Sequence, residues 1–345
     1  MYLQNYYMQN TPLGYDKDEI IITNMNNNIR KSRDAFASQV KSFSGIEEVT
    51  YAEMLLSSQD QYMGWGRKYR DKDIQFQCLP VEPSFLKVMN VKISEGRDFR
   101  EEDKAKRYGT FVFNERARTE YGLEIGSLID SMEIVGFMPD VKFASFRTEV
   151  TPMAFFVWGT NNWGNQPNYA YIKVKAGSDL RGAMQHVKTT LQSFDPEYPF
   201  NVRFFDEVFN GLYEKERSLS SLITLFSLIA IFISVVGVFG LVVFDSEYRK
   251  KEIGIRKVLG STTEEIIVMF NKTYIRILCV CFVLGAPIAG YVVHRWLENF
   301  AYKTPMYWWV YLIAFAIIAV ITILTVTFQN WRAANENPVH SIKNE

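Results

Sequence analysis

Three histidines and three cysteines are the residue types best suited to metal or nucleophilic chemistry, and their spacing assembles no site. His186, His294 and His340 lie far apart, and neither a CxxC nor an HExxH motif occurs. Cys78 stands alone in a polar region, which can therefore form no internal disulfide. Cys279 and Cys281 fall inside an apolar run and read as small packing residues. There is no GxxxxGKS/T phosphate loop, no GxSxG elbow and no Cys–His pair that spacing singles out. Glu101, Glu102 and Asp103 are of a type to bind a cation, but Lys104, Lys106 and Arg107 follow them. A solvated charged face is the better reading of that cluster. No catalytic, metal or cofactor-binding residue is assigned, and no cofactor is expected.

The rest of the chain explains why chemistry is scarce. Its 345 residues carry no net charge, and 22% of them are charged, which is ordinary for a soluble protein. The average conceals two populations. Residues 1–218 are mixed and polar, whereas long apolar runs dominate from Leu222 onward. No face or tail carries the basic excess that nucleic acid would require.

A helix needs roughly 20 apolar residues to cross about 30 Å of hydrocarbon. Residues 222–244 and 308–328 meet that length without a single charge, and residues 277–293 are extended to 297 by Trp296 and Leu297. The three spans contain no ionisable residue except at their ends, which weighs against an ion-coupled carrier. Gly285, Pro287 and Gly290 sit mid-span in the second and suggest a kink, because proline removes a backbone hydrogen bond. Gly237 and Gly240 in the first are small enough to admit a neighbouring helix.

Orientation follows from the basic residues. The loop of residues 245–272 carries Arg249, Lys250, Lys251, Arg256, Lys257 and Lys272, whereas the next loop carries only Arg295 and Lys303. Trp296, Tyr302, Tyr307, Trp308 and Trp309 crowd that second loop as an interfacial belt would. The 245–272 loop and the 329–345 tail are therefore expected in the cytoplasm, with the polar N-terminal region outside. Residues 1–20 have neither the basic start nor the apolar core of an export signal, so at least one further span is expected before Met1.

The N-terminal region, residues 1–205, alternates between strand and helix periodicity. Residues 20–25, 110–113, 132–138, 169–176 and 200–205 read as strands. Ile29, Phe36, Val40 and Phe43 mark one helical face; Leu180, Met184, Val187, Leu191 and Phe194 mark another. Asn114 is placed to cap a short helix that Gly122 ends. These elements predict an α+β domain of two lobes, joined to an all-α membrane domain over 222–345. Residues 206–221 contain no Gly/Ser or Pro linker and predict a stalk helix running straight into the first span.

The most informative stretch is EYRKKEIGIRKVLGSTTEEIIVMF, residues 247–270. It is a basic segment followed by an amphipathic helix, with Ser261 or Thr262 as cap and Glu264 and Glu265 in the first turn. Ile266, Ile267 and Phe270 offer an apolar face to lipid or protein. The plain reading is a topology signal plus an interfacial helix. RKKEIGIRKVLGST also resembles the cytoplasmic signature of the FtsX-like and MacB-like permeases of ABC transporters. Other pieces agree in order: GYDKDEIIIT at 14–23, EGRDF at 95–99, NERARTEYGLEIGS at 114–127 and EIVGFMPDVKFASF at 133–146. FFDEVFNGLYEKE at 204–216, WLENFAYKTPMYWW at 296–309 and ENPVHSIKNE at 336–345 extend the likeness over nearly the whole chain.

The resemblance implies a multi-pass permease of the bacterial inner membrane, with four spans per unit and the extracytoplasmic domain inserted after the first. It implies no catalysis on this chain. Its partners would be a cytoplasmic ABC ATPase subunit, a second permease subunit or fused permease half, membrane lipid, and a periplasmic adaptor or substrate at the outer domain. ATP-driven closure would move the spans and the stalk would pass that movement outward, which is mechanotransmission. Residues 249–260 would touch the ATPase through Arg249, Lys251, Glu252, Arg256 and Lys257, while Gly254 and Gly260 would permit close approach or a turn. Export or efflux is the expected role. Control of a cell-envelope hydrolase, or a membrane-tethered sensor without an ATPase, are the alternatives.

Overall fold

A computed structural model of the chain describes residues 2–57, 63–143, 145–160, 163, 166–249, 252, 255–256 and 259–334. It forms two compact units, Tyr6–Lys215 and Glu216–Glu345 together with Met1–Asn5. The first is referred to as the sheet unit and the second as the helix unit.

A first helix, α1 (Tyr2–Asn10), is shared between the units. The sheet unit continues with β1 (Ile20–Asn24), α2 (Asn27–Lys31), α3 (Arg33–Lys41) and β2 (Ile46–Ala52). Next come β3 (Met63–Tyr69), β4 (Lys72–Val81), α4 (Phe85–Val88), β5 (Glu95–Gly96), β6 (Thr110–Asn114) and α5 (Glu115–Tyr121). Then follow β7 (Leu128–Ile129), β8 (Met132–Met138), β9 (Met153–Val157), β10 (Tyr169–Val174), α6 (Leu180–Phe194), β11 (Arg203–Phe204) and α7 (Phe205–Gly211).

The strands β11, β1, β10 and β2 lie side by side in that order, and every pair among them is antiparallel. Two βαβ runs thus interleave as a split βαβ sheet of the ferredoxin-like kind. The connection between its second and third strands, residues 53–168, is long enough to form the second lobe. There β4 and β9 are parallel, as are β6 and β8, while β6 and β9 are antiparallel. β3 folds back on β4 as a hairpin and β7 pairs with β8.

Each lobe has its own core. In the first, Ile21, Ile172 and Val49 of the sheet pack with Phe36, Val40, Val187 and Leu191 of the helices. Ile20 and Ile22 are buried on the other face of β1, which is why that strand reads as an unbroken apolar run. In the second, Trp65, Phe76, Phe111, Phe113 and Phe156 form an aromatic cluster with ring centroids such as Phe76–Phe113 at 4.9 Å and Trp65–Phe156 at 5.0 Å. Complete burial of each such ring is worth about 1.5–3 kcal/mol. Asn114 caps α5 as the sequence predicts, accepting from the Ala117 N–H at 3.1 Å, and Gly122 ends it. The same side chain accepts from the Met153 N–H and donates to the Thr151 carbonyl, so one cap residue also fixes the start of β9.

The sequence reading found five of the strands and did not identify β2, β3, β4, β5, β7 or β9. The strand expected over 200–205 is confined to β11, and α6 buries Ala183 while Leu180 is exposed. The expected single stalk helix over 206–221 is divided. α7 ends at Gly211, Leu212 and Tyr213 turn, and the next helix starts at Glu214. The turn seats both Leu212 and Tyr213 in the sheet unit, where each is buried, and glycine immediately before it is a poor helix former.

Among the described residues, the helix unit contains α8 (Glu214–Tyr248), α9 (Thr263–Leu297) and α10 (Trp308–Ala334), three helices long and apolar enough to cross a membrane. The amphipathic helix and the second span expected from the sequence are one continuous helix, α9. Asn271, Lys272 and Arg276 interrupt the apolar run without breaking the helix, since none of them is a backbone breaker. Gln4 in the first turn of α1 joins this unit. Its amide donates to the Tyr302 carbonyl at 2.9 Å and accepts from the Thr304 N–H at 2.8 Å, clasping the link between α9 and α10.

Candidate functional site

The segment between α8 and α9 is the region the sequence marks most strongly, and the helices on either side hold its ends. Val242 of α8, Ile266 and Phe270 of α9 and Val326 of α10 form a small buried core. The apolar face of residues 266–270 therefore meets protein for Ile266 and Phe270. Asn271 donates to the Thr327 hydroxyl at 2.9 Å and ties α9 to α10 just beyond that core.

Arg249 continues α8. Its Nε donates to Asp245 at 2.9 Å and its guanidinium lies 5.9 Å from the centre of the Phe270 ring. The hydrogen bond to Asp245, and next the charge of that carboxylate, hold the Arg249 proton more firmly than usual. Glu252 accepts from Arg256 at 2.8 Å, a pair one helical turn apart with the acid first, which is the favourable order. Such an exposed pair contributes only about 0.3–0.5 kcal/mol, so it steadies a turn rather than holding the fold.

Gly260 then stops this turn. Its φ is +96°, no atom lies within 4 Å of where a Cβ would stand, and the Ser261 N–H donates back to the Arg256 carbonyl at 2.9 Å. That bond and the left-handed glycine are the Schellman arrangement of a helix end. Thr262 caps α9 two residues later: its hydroxyl accepts from the Glu265 N–H while Glu265 accepts from the Thr262 N–H. Of the two candidate caps, Thr262 is the one used. Lys251, Gly254 and Lys257 lie outside the described residues, as does the Asn337-Pro338 tail.

Sequence reasoning passed over Ile255 and Leu259. They are 56% and 80% exposed, and the Leu259 N–H donates to the Ile255 carbonyl at 3.0 Å, so both occupy successive turns of one short helical face. The signal was present as an apolar pair at i, i+4 inside a basic stretch. The mid-span residues behave differently from one another. Gly290 brings α9 within contact of α10, since a Cβ there would lie 3.3 Å from the Tyr311 hydroxyl, whereas nothing stands within 4 Å of Gly285. α9 runs unbroken through Pro287.

In the sheet unit, Glu101 and Asp103 of the acidic cluster are paired with cations. Arg97 pairs with both oxygens of Asp103 at 2.7 and 2.8 Å, and Lys104 bridges Glu101 and Glu82 at 2.9 Å each. Burial raises the Asp103 carboxyl, but the hydrogen bonds from Arg97 and the Arg100 N–H outweigh it and leave the group below its ordinary value. Burial pushes the Cys78 thiol well up, as expected for an inert packing cysteine. Among the described residues, no group of three or more His, Cys, Asp or Glu is placed to hold a metal ion. A groove of about 420 Å³ lies on the β3–β4 hairpin, lined by Gly64, Gly66, Gln75, Gln77 and Pro152 among others.

Comparison with known proteins gives the same division of the chain. Residues 6–190 match the MacB-like periplasmic core domain, and residues 224–338 match the FtsX-like permease C-terminal domain. The macrolide export ATP-binding/permease protein MacB of Chromobacterium violaceum is 23% identical over 230 residues, covering 64% of this chain and 35% of that protein. MacB of Escherichia coli K12 is 22% identical over 233 residues, again 64% of this chain and 35% of the relative. The chain thus spans about a third of the length of the curated relatives it matches. Among solved structures, the periplasmic region of MacB from Actinobacillus actinomycetemcomitans superimposes with a TM-score of 0.43 at 14% identity, covering 58% of this chain and 95% of that one. The extracellular domain of the ABC-type transporter YknZ from Gram-positive bacteria gives 0.38 at 12% identity, covering 53% and 99%. With both domain matches in register with the two units, this chain is a membrane protein that belongs to the MacB-like, FtsX-like family of ABC-transporter permeases.

Proposed function

We propose that the chain is the non-catalytic half of an ABC exporter, in which the α8–α9 link docks on a cytoplasmic ATPase subunit. The movement of that subunit is passed through the spans and the stalk to the sheet unit outside. The observation that carries this reading is the exposed Ile255–Leu259 turn, ended by Gly260 and followed by the capped helix α9, whose first turns are packed. An exposed apolar pair flanked by Glu252 and Arg256 has the composition of a small docking knob: apolar centre, charged rim. The excess of basic residues in this link supports a cytoplasmic side for it and for the C-terminal tail at a bacterial inner membrane, with the sheet unit outside. Export or efflux is supported by the relatives, which are described as macrolide exporters. A second permease, as a separate copy or fused half, covers the open faces of the spans.

The test is co-purification from detergent-solubilised membranes. The full-length protein should bring down an ABC ATPase. A variant with Glu252, Arg256 and Lys257 all changed to alanine, and a second with Ile255→Ala and Leu259→Ala, should each lose it. Wild-type protein that captures no ATPase would favour a membrane-tethered sensor and reduce the link to a basic anchor.

A further inference from the structure

Helix α9 turns one face to α10. Asn271 bonded to Thr327, Phe282 packed on Phe315 with ring centroids 4.8 Å apart, and Gly290 against Tyr311 mark that face. Away from it, at spacings of four and three, run Lys272, Arg276, Val280, Val283, Pro287 and Tyr291, every one of them exposed. The stripe begins with two cations and continues without charge.

The two cations are uncompensated. The positions three and four residues from either of them hold no acid. Among the described residues neither has a salt bridge, whereas Arg249 is paired with Asp245 and Arg295 with Glu298. Like charges one turn apart repel, and an anion held between them relieves the repulsion. Their depth follows from α10. Thr327 precedes Phe328, the last residue of the uncharged run of α10, so Lys272, next to Asn271, stands at the edge of the hydrocarbon. Arg276 lies one turn deeper, and its long side chain reaches back toward that edge. Half of a hydrocarbon core about 30 Å thick is about ten residues of helix, which from Lys272 extends to the level of Phe282 and Val283. Within a single leaflet the stripe therefore offers cations at the edge and Val280 and Val283 below them, the order of a phospholipid's headgroup and chain.

We propose that this stripe is a binding site for one anionic phospholipid, its phosphate held between Lys272 and Arg276 and its acyl chain lying over Val280 and Val283. A second copy of this chain is a poorer occupant. Two copies inserted in the same sense and related by a twofold axis through the stripe would set the same two cations against themselves. A zwitterionic lipid brings its own cation with its phosphate and relieves less of the repulsion. The choice of leaflet rests on the orientation proposed above, which makes it the cytoplasmic one, where anionic lipid gives the surface its negative potential. The affinity does not depend on that orientation.

The experiment reads which lipid lies against the stripe in the full chain, reconstituted in phosphatidylcholine nanodiscs without nucleotide or ATPase. A fluorophore is attached through Val280→Cys, or as a control through Ile317→Cys, exposed at nearly the same depth on α10, after Cys279→Ser and Cys281→Ser; Cys78 is buried. Phosphatidylglycerol or phosphatidylcholine, each brominated on its acyl chains near the headgroup, is then titrated in as quencher. At position 280 half-maximal quenching should need at least about fivefold less phosphatidylglycerol than phosphatidylcholine, as one favourable cation–lipid contact gives. At position 317 the two lipids should quench alike. Lys272→Gln with Arg276→Gln should abolish the preference at 280, and the charge-conserving Lys272→Arg with Arg276→Lys should keep it. Both pairs change exposed side chains only, so folding is not at stake. An equal response to the two lipids at 280, or a preference that survives the glutamine pair, overturns the proposal. Absence of quenching by either lipid at 280 also overturns it, because the stripe is then covered by another helix. With no ATPase present, the result stands whether or not the co-purification test finds a partner.

Discussion

Phe156 and Phe232 are the same residue type in opposite surroundings. Phe156 is fully buried in the sheet unit, against Trp65 and Phe111, whereas Phe232 in the middle of α8 is 69% exposed. The contrast holds for whole units. Aromatic side chains of both lobes close on one another within the chain, while at most 11% of the apolar window of any span is buried by the rest of the chain. The sheet unit is stabilised by its own contacts. The helix unit takes the bilayer as solvent, so its apolar faces are covered by lipid or by other helices, and its internal contacts concentrate at the end that carries the α8–α9 link.

The largest expected effect breaks the comparison if it fails. Phe156→Ala should cost about 3–5 kcal/mol of the stability of the sheet unit. Phe232→Ala should change it by less than about 0.5 kcal/mol. Urea titration of the solubilised full chain, followed by tryptophan fluorescence, reads both; a large effect at Phe232 would mean that the spans stabilise the sheet unit.

Next in size is Asp103→Asn, which leaves Arg97 facing an amide and should cost about 2 kcal/mol at neutral pH. The sign with pH is definite. The folded-state carboxyl lies below its ordinary value of 3.8, so its contribution is complete above that value and disappears as pH falls through the lowered one. The wild type should therefore lose part of its stability on acidification below about pH 4, and the variant should lack that component. Denaturation midpoints taken from pH 6 to pH 3 provide the check.

Smaller, and confined to the helix unit, are Gly260→Ala and Thr262→Ala. The first forces a Cβ into φ +96° and the second removes the cap of α9; each should cost about 1 kcal/mol locally. Faster amide exchange over residues 255–266, with none in the sheet unit, is the expected signature. The smallest stability effect belongs to Ile255→Ala and Leu259→Ala, within about 0.5 kcal/mol. Yet the same pair should lower ATPase recovery at least about tenfold, which separates a docking surface from a structural one.

Much of this was legible in the residues. Charge-free runs located three spans because hydrocarbon length is a local requirement, and Asn114, Gly122 and Thr262 marked helix ends because caps act on the next few residues. β9, with its uninterrupted MAFFV, was missed because burial on both faces erases the alternation that identifies a strand. β4 was missed although Ile74, Phe76 and Cys78 alternate cleanly, and Ile255 and Leu259 were overlooked among the charges around them.

What the sequence by itself determined is what depends on nearest neighbours and on solvent: the two populations of residues, the length of the spans, the basic link and the stops at its ends. The tertiary structure alone decided which strands lie side by side, that residues 53–168 are an insertion, and that the stalk breaks at Leu212-Tyr213. The physical reason is range. A helix cap is settled by bonds to residues three or four positions away, whereas the turn at Tyr213 exists because Phe146, 67 positions earlier, needs a hydroxyl and a ring beside it. No local pattern records that need.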